Sequence, residues 1–209
     1  MQLTEFQQDA VTEIINIAFS RAGASLSDLT RSRVDLEVPE VSVHSIAEIS
    51  TAVGKFVNGD VATVHQVFGG GVSGDAFLLL NFDGAVQLVD ILTGSQTAGH
   101  TLSVSAREVI TEVGNILMNA CLGVFGNLLH MRVSFSVPRI SLDDLGVMVR
   151  SLIVDEKALH HALVVGARFK MRGHEITGCL ILVLGISSFE LFLNSVEEWA
   201  ARSEAGEES

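Results

Sequence analysis

The chain has few basic residues, few residues that bend it and few that could crosslink it. Thirteen Lys and Arg stand against 25 Asp and Glu, a formal net charge of −12 over 209 residues. Phosphate backbones are bound by clusters of Lys and Arg, and none occurs here, which argues against nucleic acid as a partner. Cys121 and Cys179 are the two cysteines. They form no CxxC and neither has a histidine at metal spacing, so both read as small buried hydrophobes in a reducing compartment. The two prolines, Pro39 and Pro138, read as residues that end or bend a strand near a sheet edge. The opening MQLTEFQQDA lacks the basic-then-apolar order of a signal peptide. The longest strongly apolar run, CLILVLGI (179–186), is too short to span a bilayer. These absences predict a soluble, cytoplasmic protein with no membrane insertion.

Apolar residues make up 48% and charged residues 18%, enough for a sizeable core. Helical and strand-like patterns alternate, which points to a mixed α/β class. The acidic end EAGEES (204–209) reads as a solvated, frayed terminus.

The chain also repeats itself. Shifted by 99 residues, Thr12, Glu13, Asn16 and Ile17 fall on Thr111, Glu112, Asn115 and Ile116. Leu29 falls on Leu128, Arg33-Val34 on Arg132-Val133, Val38-Pro39 on Val137-Pro138, and Ser42 on Ser141. Those are ten identities in 34 ungapped pairs. We read a duplicated unit, one domain over residues 1–209 built from repeats at about 5–94 and 104–201. The polar linker SQTAGHTLS (95–103) is short, so the halves should share one core with pseudo-two-fold symmetry. Half one reads as a helix over 5–22, a helical piece over 25–30, a strand-like segment over 33–45, strands over 61–68 and 74–82, and a helix over 84–94. Half two repeats the order. Its helix covers 105–129, a strand-like segment follows, and a helix lies near LDDLGVMVRSL (142–152). Two strands then precede a last helix with a Ser cap. The predicted fold is α/β, with two long helices packed on a mainly antiparallel sheet shared by both halves.

Two tempting stretches carry no chemistry. FGGGVSGD (68–75) has no following Lys-Ser/Thr and reads as a hairpin turn. His160-His161 would point to opposite faces of a strand and lack a third ligand, so they read as a solvated turn.

The repeated Glu and Asn are harder to dismiss. Positions three or four apart share a helix face. Asp9, Glu13, Asn16 and Ser20 form one polar stripe, and Glu108, Glu112, Asn115 and Asn119 another. The flanking Ala10, Ile14, Ile17, Val109, Val113 and Ile116 should face the core. Asn is a mediocre mid-helix residue, yet both copies keep it. A carboxamide can hydrogen-bond a water and aim it, and a Gln plays that part in phosphoryl hydrolysis by GTPases. A carboxylate can hold a partner's Lys. The chain has no phosphate cradle of its own, so this chemistry suits a phosphate presented by another protein.

With these residues the sequence resembles the CheC/CheX/FliY phosphatases of bacterial and archaeal chemotaxis. Their signature is Asp/Ser-x3-Glu-x2-Asn-x22-Pro. Asp9, Glu13, Asn16 and Pro39 fit it, and Glu112, Asn115 and Pro138 fit a second copy at the same interval. Two positions depart: Glu108 replaces the leading Asp or Ser, and Ile15 stands where the family has Gly, as in Gly114. The two-copy, stand-alone arrangement looks most like CheC. The resemblance implies two long motif helices side by side over a shared sheet. It further implies hydrolysis of the aspartyl phosphate on phosphorylated CheY. Asn16 and Asn115 would align water, and Glu13 and Glu112 would bind the response regulator's active-site Lys. No cofactor of its own is implied, because the Mg2+ would belong to CheY. The Ile15 departure favours the second site. CheD, a receptor deamidase, is a further implied partner, through the segment 142–152. The competing reading is a non-catalytic adaptor that binds CheD or the flagellar switch.

Overall fold

The structure, a computed structural model, describes residues 3–38, 40–94, 101–128, 130, 132–154 and 160–205. Pro39, most of the linker and residues 206–209 of the acidic end lie outside the described residues. Helix α1 (Glu5–Thr30) leads to strands β1 (Val34–Glu37) and β2 (Val41–Ser45). A 3-10 turn (Ile46–Glu48) and α2 (Ile49–Val53) precede the hairpin of β3 (Asp60–Gly70) and β4 (Gly74–Asn81), closed by α3 (Phe82–Thr93). The second half follows in the same order. It comprises α4 (Val104–Leu128), β5 (Val133–Phe135), β6 (Arg139–Asp144), α5 (Leu145–Val154), β7 (His160–Met171), β8 (His174–Gly185) and α6 (Ile186–Glu204).

The 99-residue shift recurs in local chemistry. Thr4 caps α1, its hydroxyl accepting from the Gln7 N–H at 3.2 Å, and Ser103 caps α4 by accepting from the Ala106 N–H at the same distance. One such cap stabilises a helix by about 1 kcal/mol. Thr12 and Thr111 donate to the carbonyls four residues back, Gln8 and Arg107, both at 2.7 Å.

All eight strands pair antiparallel in one sheet, in the order β1-β7-β8-β4-β3-β5, with β2 also on β7 and β6 also on β3. The halves exchange strands: β1 and β2 of the first pair with β7 of the second, and β5 and β6 of the second pair with β3 of the first. At the centre Leu79 pairs with Cys179 and Leu80 with Gly178. The shift carries Leu79 to Gly178 and Leu80 to Cys179, so the pseudo-dyad passes between these two pairs. Gly178 is required there: a Cβ would stand 2.5 Å from the Leu79 carbonyl oxygen.

Both sheet faces are covered. One carries Val64, Leu78, Leu80, Leu163, Val165 and Leu182 beneath the long helices. The other carries Val61, Leu79, Val164, Cys179 and Ile181 beneath Ile49, Val53, Met148 and Leu152 of α2 and α5. Burial on two faces explains the unbroken apolar run in β8. Both cysteines are fully enclosed, and burial pushes their thiols up, Cys179 to about 12. A thiol-specific aromatic disulfide should therefore leave the folded protein unmodified and titrate both thiols in denaturant. Rapid native labelling would contradict this burial.

The structure corrects several sequence expectations. The pieces over 5–22 and 25–30 are one helix, because Ser25 and Ser27 turn their hydroxyls back onto the Arg21 and Gly23 carbonyls instead of breaking it. The segment 33–45 is two strands. Helix α2 was not expected, since five residues carry too little periodicity. The segment 142–152 is split between β6 and α5. Helix α6 has no serine cap: it starts from Gly185, and the Ser188 hydroxyl instead accepts from the Ser73 N–H at 3.2 Å. His161 is not in a solvated turn but lies half-buried in β7, its ring 4.7 Å from that of Phe189. Helix α4 is long and apolar enough to cross a bilayer by length and composition, which the run-length argument missed; half of that window is buried within the fold.

Salt links tie β1 to the other half. Glu37 accepts from Lys170 at 2.6 Å and from Arg168 at 3.4 Å. The Lys170 hydrogen bond holds its carboxyl below the ordinary carboxylate range. Its stabilisation is complete above the unfolded carboxylate pKa and is lost as pH falls through the lowered one.

Candidate active site

The two motif helices pack side by side. On α1 the buried face is Ala10, Ile14, Ala18 and Phe19, and Asp9, Glu13, Asn16 and Ser20 all face outward. On α4, Ile110, Val113 and Leu117 are buried, Glu108 and Glu112 are exposed, and Asn115 and Asn119 are half-buried. The helical spacing read from sequence thus yields two polar ridges on adjoining helices. Among the described residues, neither Glu13 nor Glu112 has a salt-bridge or hydrogen-bond partner, so each carboxylate is free to take a cation from outside. No group of three His, Cys, Asp or Glu side chains able to hold a metal ion occurs among the described residues.

The two ridges differ in support. A Cβ on Gly114 would lie 2.8 Å from Val64 Cβ, so glycine lets α4 settle directly on β3. Its counterpart Ile15 is fully buried, and α1 packs instead on β1, β2, α4 and α6. Asn119 donates from Nδ2 to Asn115 Oδ1 at 2.9 Å. Asn16 and Ser20 make no side-chain hydrogen bond among the described residues. The stripe pattern placed Asn119 on the ridge, but spacing alone could not show its bond to Asn115.

Sequence reasoning also missed Gln66. This buried amide donates to the Ser136 carbonyl at 2.8 Å. Ser136 Oγ accepts from the Val67 N–H, and the Ser136 N–H donates to the Val67 carbonyl, both at 2.9 Å. Together they pin the β5–β6 connection that contains Pro138. A lone Gln in a β-strand gives no sequence signal for this role. The FGGGVSGD stretch is the β3–β4 hairpin turn, as expected; a Cβ on Gly70 (φ +137°) would collide with the Arg132 carbonyl oxygen.

No family model matches the chain. Individual proteins do. Over 197 residues it is 26% identical to CheY-P phosphatase CheC of Bacillus subtilis (strain 168), covering 90% of this chain and 92% of that one. Over 144 residues it is 28% identical to flagellar motor switch phosphatase FliY of the same organism, covering 68% of this chain and 37% of FliY. The crystal structure of Thermotoga maritima FliY shares the fold at a TM-score of 0.75 and 18% identity, over 97% of this chain and 99% of that one. These likenesses, to CheC and FliY proteins and to the FliY fold, support the resemblance to the CheC/CheX/FliY family that the repeated motif carries.

The CheC/CheX/FliY signature gains a physical reading here. Its glycine, present as Gly114, sits where α4 touches the sheet. Replacing Gly114 by Val should cost about 2 kcal/mol net, because a Cβ 2.8 Å from two Val64 carbons puts the overpacking penalty at the upper end of its usual range, roughly 3 kcal/mol, against a gain of about 1 kcal/mol from removing a mid-helix glycine. The melting temperature should fall by about 4–8 °C. Val64→Ala in the same chain should restore part of the loss, measured by a double-mutant cycle. An unchanged melt in Gly114→Val would refute the close contact.

Proposed function

We propose that the chain hydrolyses the aspartyl phosphate of a phosphorylated CheY-type response regulator. The carrying observation is the pair of Glu-x2-Asn ridges on two packed helices, each carboxylate exposed and, among the described residues, without a salt-bridge partner. Hydrolysis needs only an aligned water as phosphoryl acceptor, since the acyl phosphate is a mixed anhydride and already labile. Asn16 or Asn115 would hold that water in line with phosphorus. Water oxygen bonds to phosphorus as the bond to the aspartyl oxygen breaks, releasing inorganic phosphate and the free carboxylate. Glu13 or Glu112 would pair with the regulator's active-site Lys and fix the complex. The Mg2+ would come with the regulator, so this chain supplies positioning and no metal. Relatives named CheC and FliY as phosphatases support this reading, and it places the protein in the cytoplasm with its substrate.

A second reading is a non-catalytic adaptor, favoured by the likeness to a protein named for the flagellar motor switch. A CheD contact would use the outer face of α5, where Val147 is exposed while Met148, Val149 and Leu152 face inward. The deciding experiment is the decay of phosphorylated CheY, followed by loss of label, with and without the protein. Acceleration at substoichiometric protein supports the phosphatase. Unchanged decay with the cognate regulator, in the presence or absence of CheD, leaves the adaptor.

A further inference from the structure

We infer that Asn119 is a positioning residue for Asn115, and that the residue at this point of the helix sets which of the two sites turns over faster. The inference rests on the phosphatase reading above. Asn119 lies one helical turn beyond Asn115 and donates from Nδ2 to Asn115 Oδ1 at 2.9 Å. That bond occupies one carbonyl lone pair of Asn115. The other lone pair and both N–H groups stay available for a water and a phosphoryl oxygen. A donor on the carbonyl also polarises the amide, which strengthens its N–H as a donor. The carboxamide of Asn115 is therefore held against rotation.

Asn119 is itself held. Its side chain is half-buried and tied to Asn115 through Nδ2, while its enclosed Oδ1 has no hydrogen-bond partner among the described residues. Below it, Gly114 brings α4 onto Val64 of β3 and removes play from this turn of the helix. The first ridge lacks each support. The residue 99 positions earlier is Ser20, exposed and too short to reach the Asn16 amide, and Asn16 has no side-chain partner among the described residues. The threonines beside the two glutamates bond identically in both helices, so they do not distinguish the sites.

The test isolates each site. In an Asn16→Ala background only the second site works, and Asn119→Ser should lower kcat about 10-fold with KM for phosphorylated CheY unchanged, because misaimed positioning groups cost rate and not affinity. In an Asn115→Ala background only the first site works, and Ser20→Asn should raise kcat several-fold. A merely structural Asn119 would shift KM or the melting temperature and would give no gain at the other helix. The inference is overturned if Asn119→Ser stays within about twofold of its parent in kcat, or if Ser20→Asn does. Those results with an active wild-type protein refute the inference alone. An inactive wild-type protein refutes the phosphatase reading and the inference with it.

Discussion

Changing both Asn16 and Asn115 to alanine should remove the acceleration of phosphorylated CheY decay, a loss on the order of 100-fold or more. Each amide is proposed to supply alignment, and alignment is the term that water in bulk lacks. The loss should not come from unfolding. Asn16 is exposed and Asn115 half-buried, and alanine is the better helix former at both positions. The melting temperature should change little, since the helix-propensity gain at both positions offsets the lost Asn119–Asn115 hydrogen bond. The single changes should be unequal, Asn115→Ala costing more than Asn16→Ala, because Asn115 sits on the anchored helix. A double variant that keeps the wild-type rate would remove both ridges from the chemistry.

Neither half should fold as a monomer. The fragment 1–99 leaves β1 and β2 without β7 and leaves β3 without β5 and β6, while β4 loses β8 along its length. Those edges would expose unpaired backbone groups and the apolar face now buried by the other repeat. We propose on this ground that residues 1–209 form one cooperative unit. The isolated fragment should show no cooperative thermal transition at low concentration. It should gain one when mixed with 100–209, or at high concentration, where a second copy can take the missing half's place. A concentration-independent cooperative melt of monomeric 1–99 would show that the repeats are separate domains.

Much of this was legible without coordinates, for definite reasons. A helix repeats every 3.6 residues and a strand every two, so the polar stripes Glu13–Asn16 and Glu112–Asn115 and their apolar undersides were readable from spacing alone. Duplication made the Glu and Asn stand out, since the same pair recurs after 99 residues while neighbours differ. Short elements were not legible. Helix α2 is too brief to show a period, and α6 starts from Gly185, two residues before the serine expected to cap it.

The sequence by itself determined the repeat, the two amphipathic motif helices, the acidic balance and the candidate groups. All of these follow from residue identity and local spacing. Only the tertiary structure decided the crosswise strand exchange, the second core beneath α2 and α5, and the unequal support of the two ridges. Those depend on contacts between residues far apart in the chain, Leu79 against Cys179 and Gly114 against Val64. Even the local Asn115–Asn119 bond needed geometry, because spacing brings two side chains within reach but does not show whether they bond.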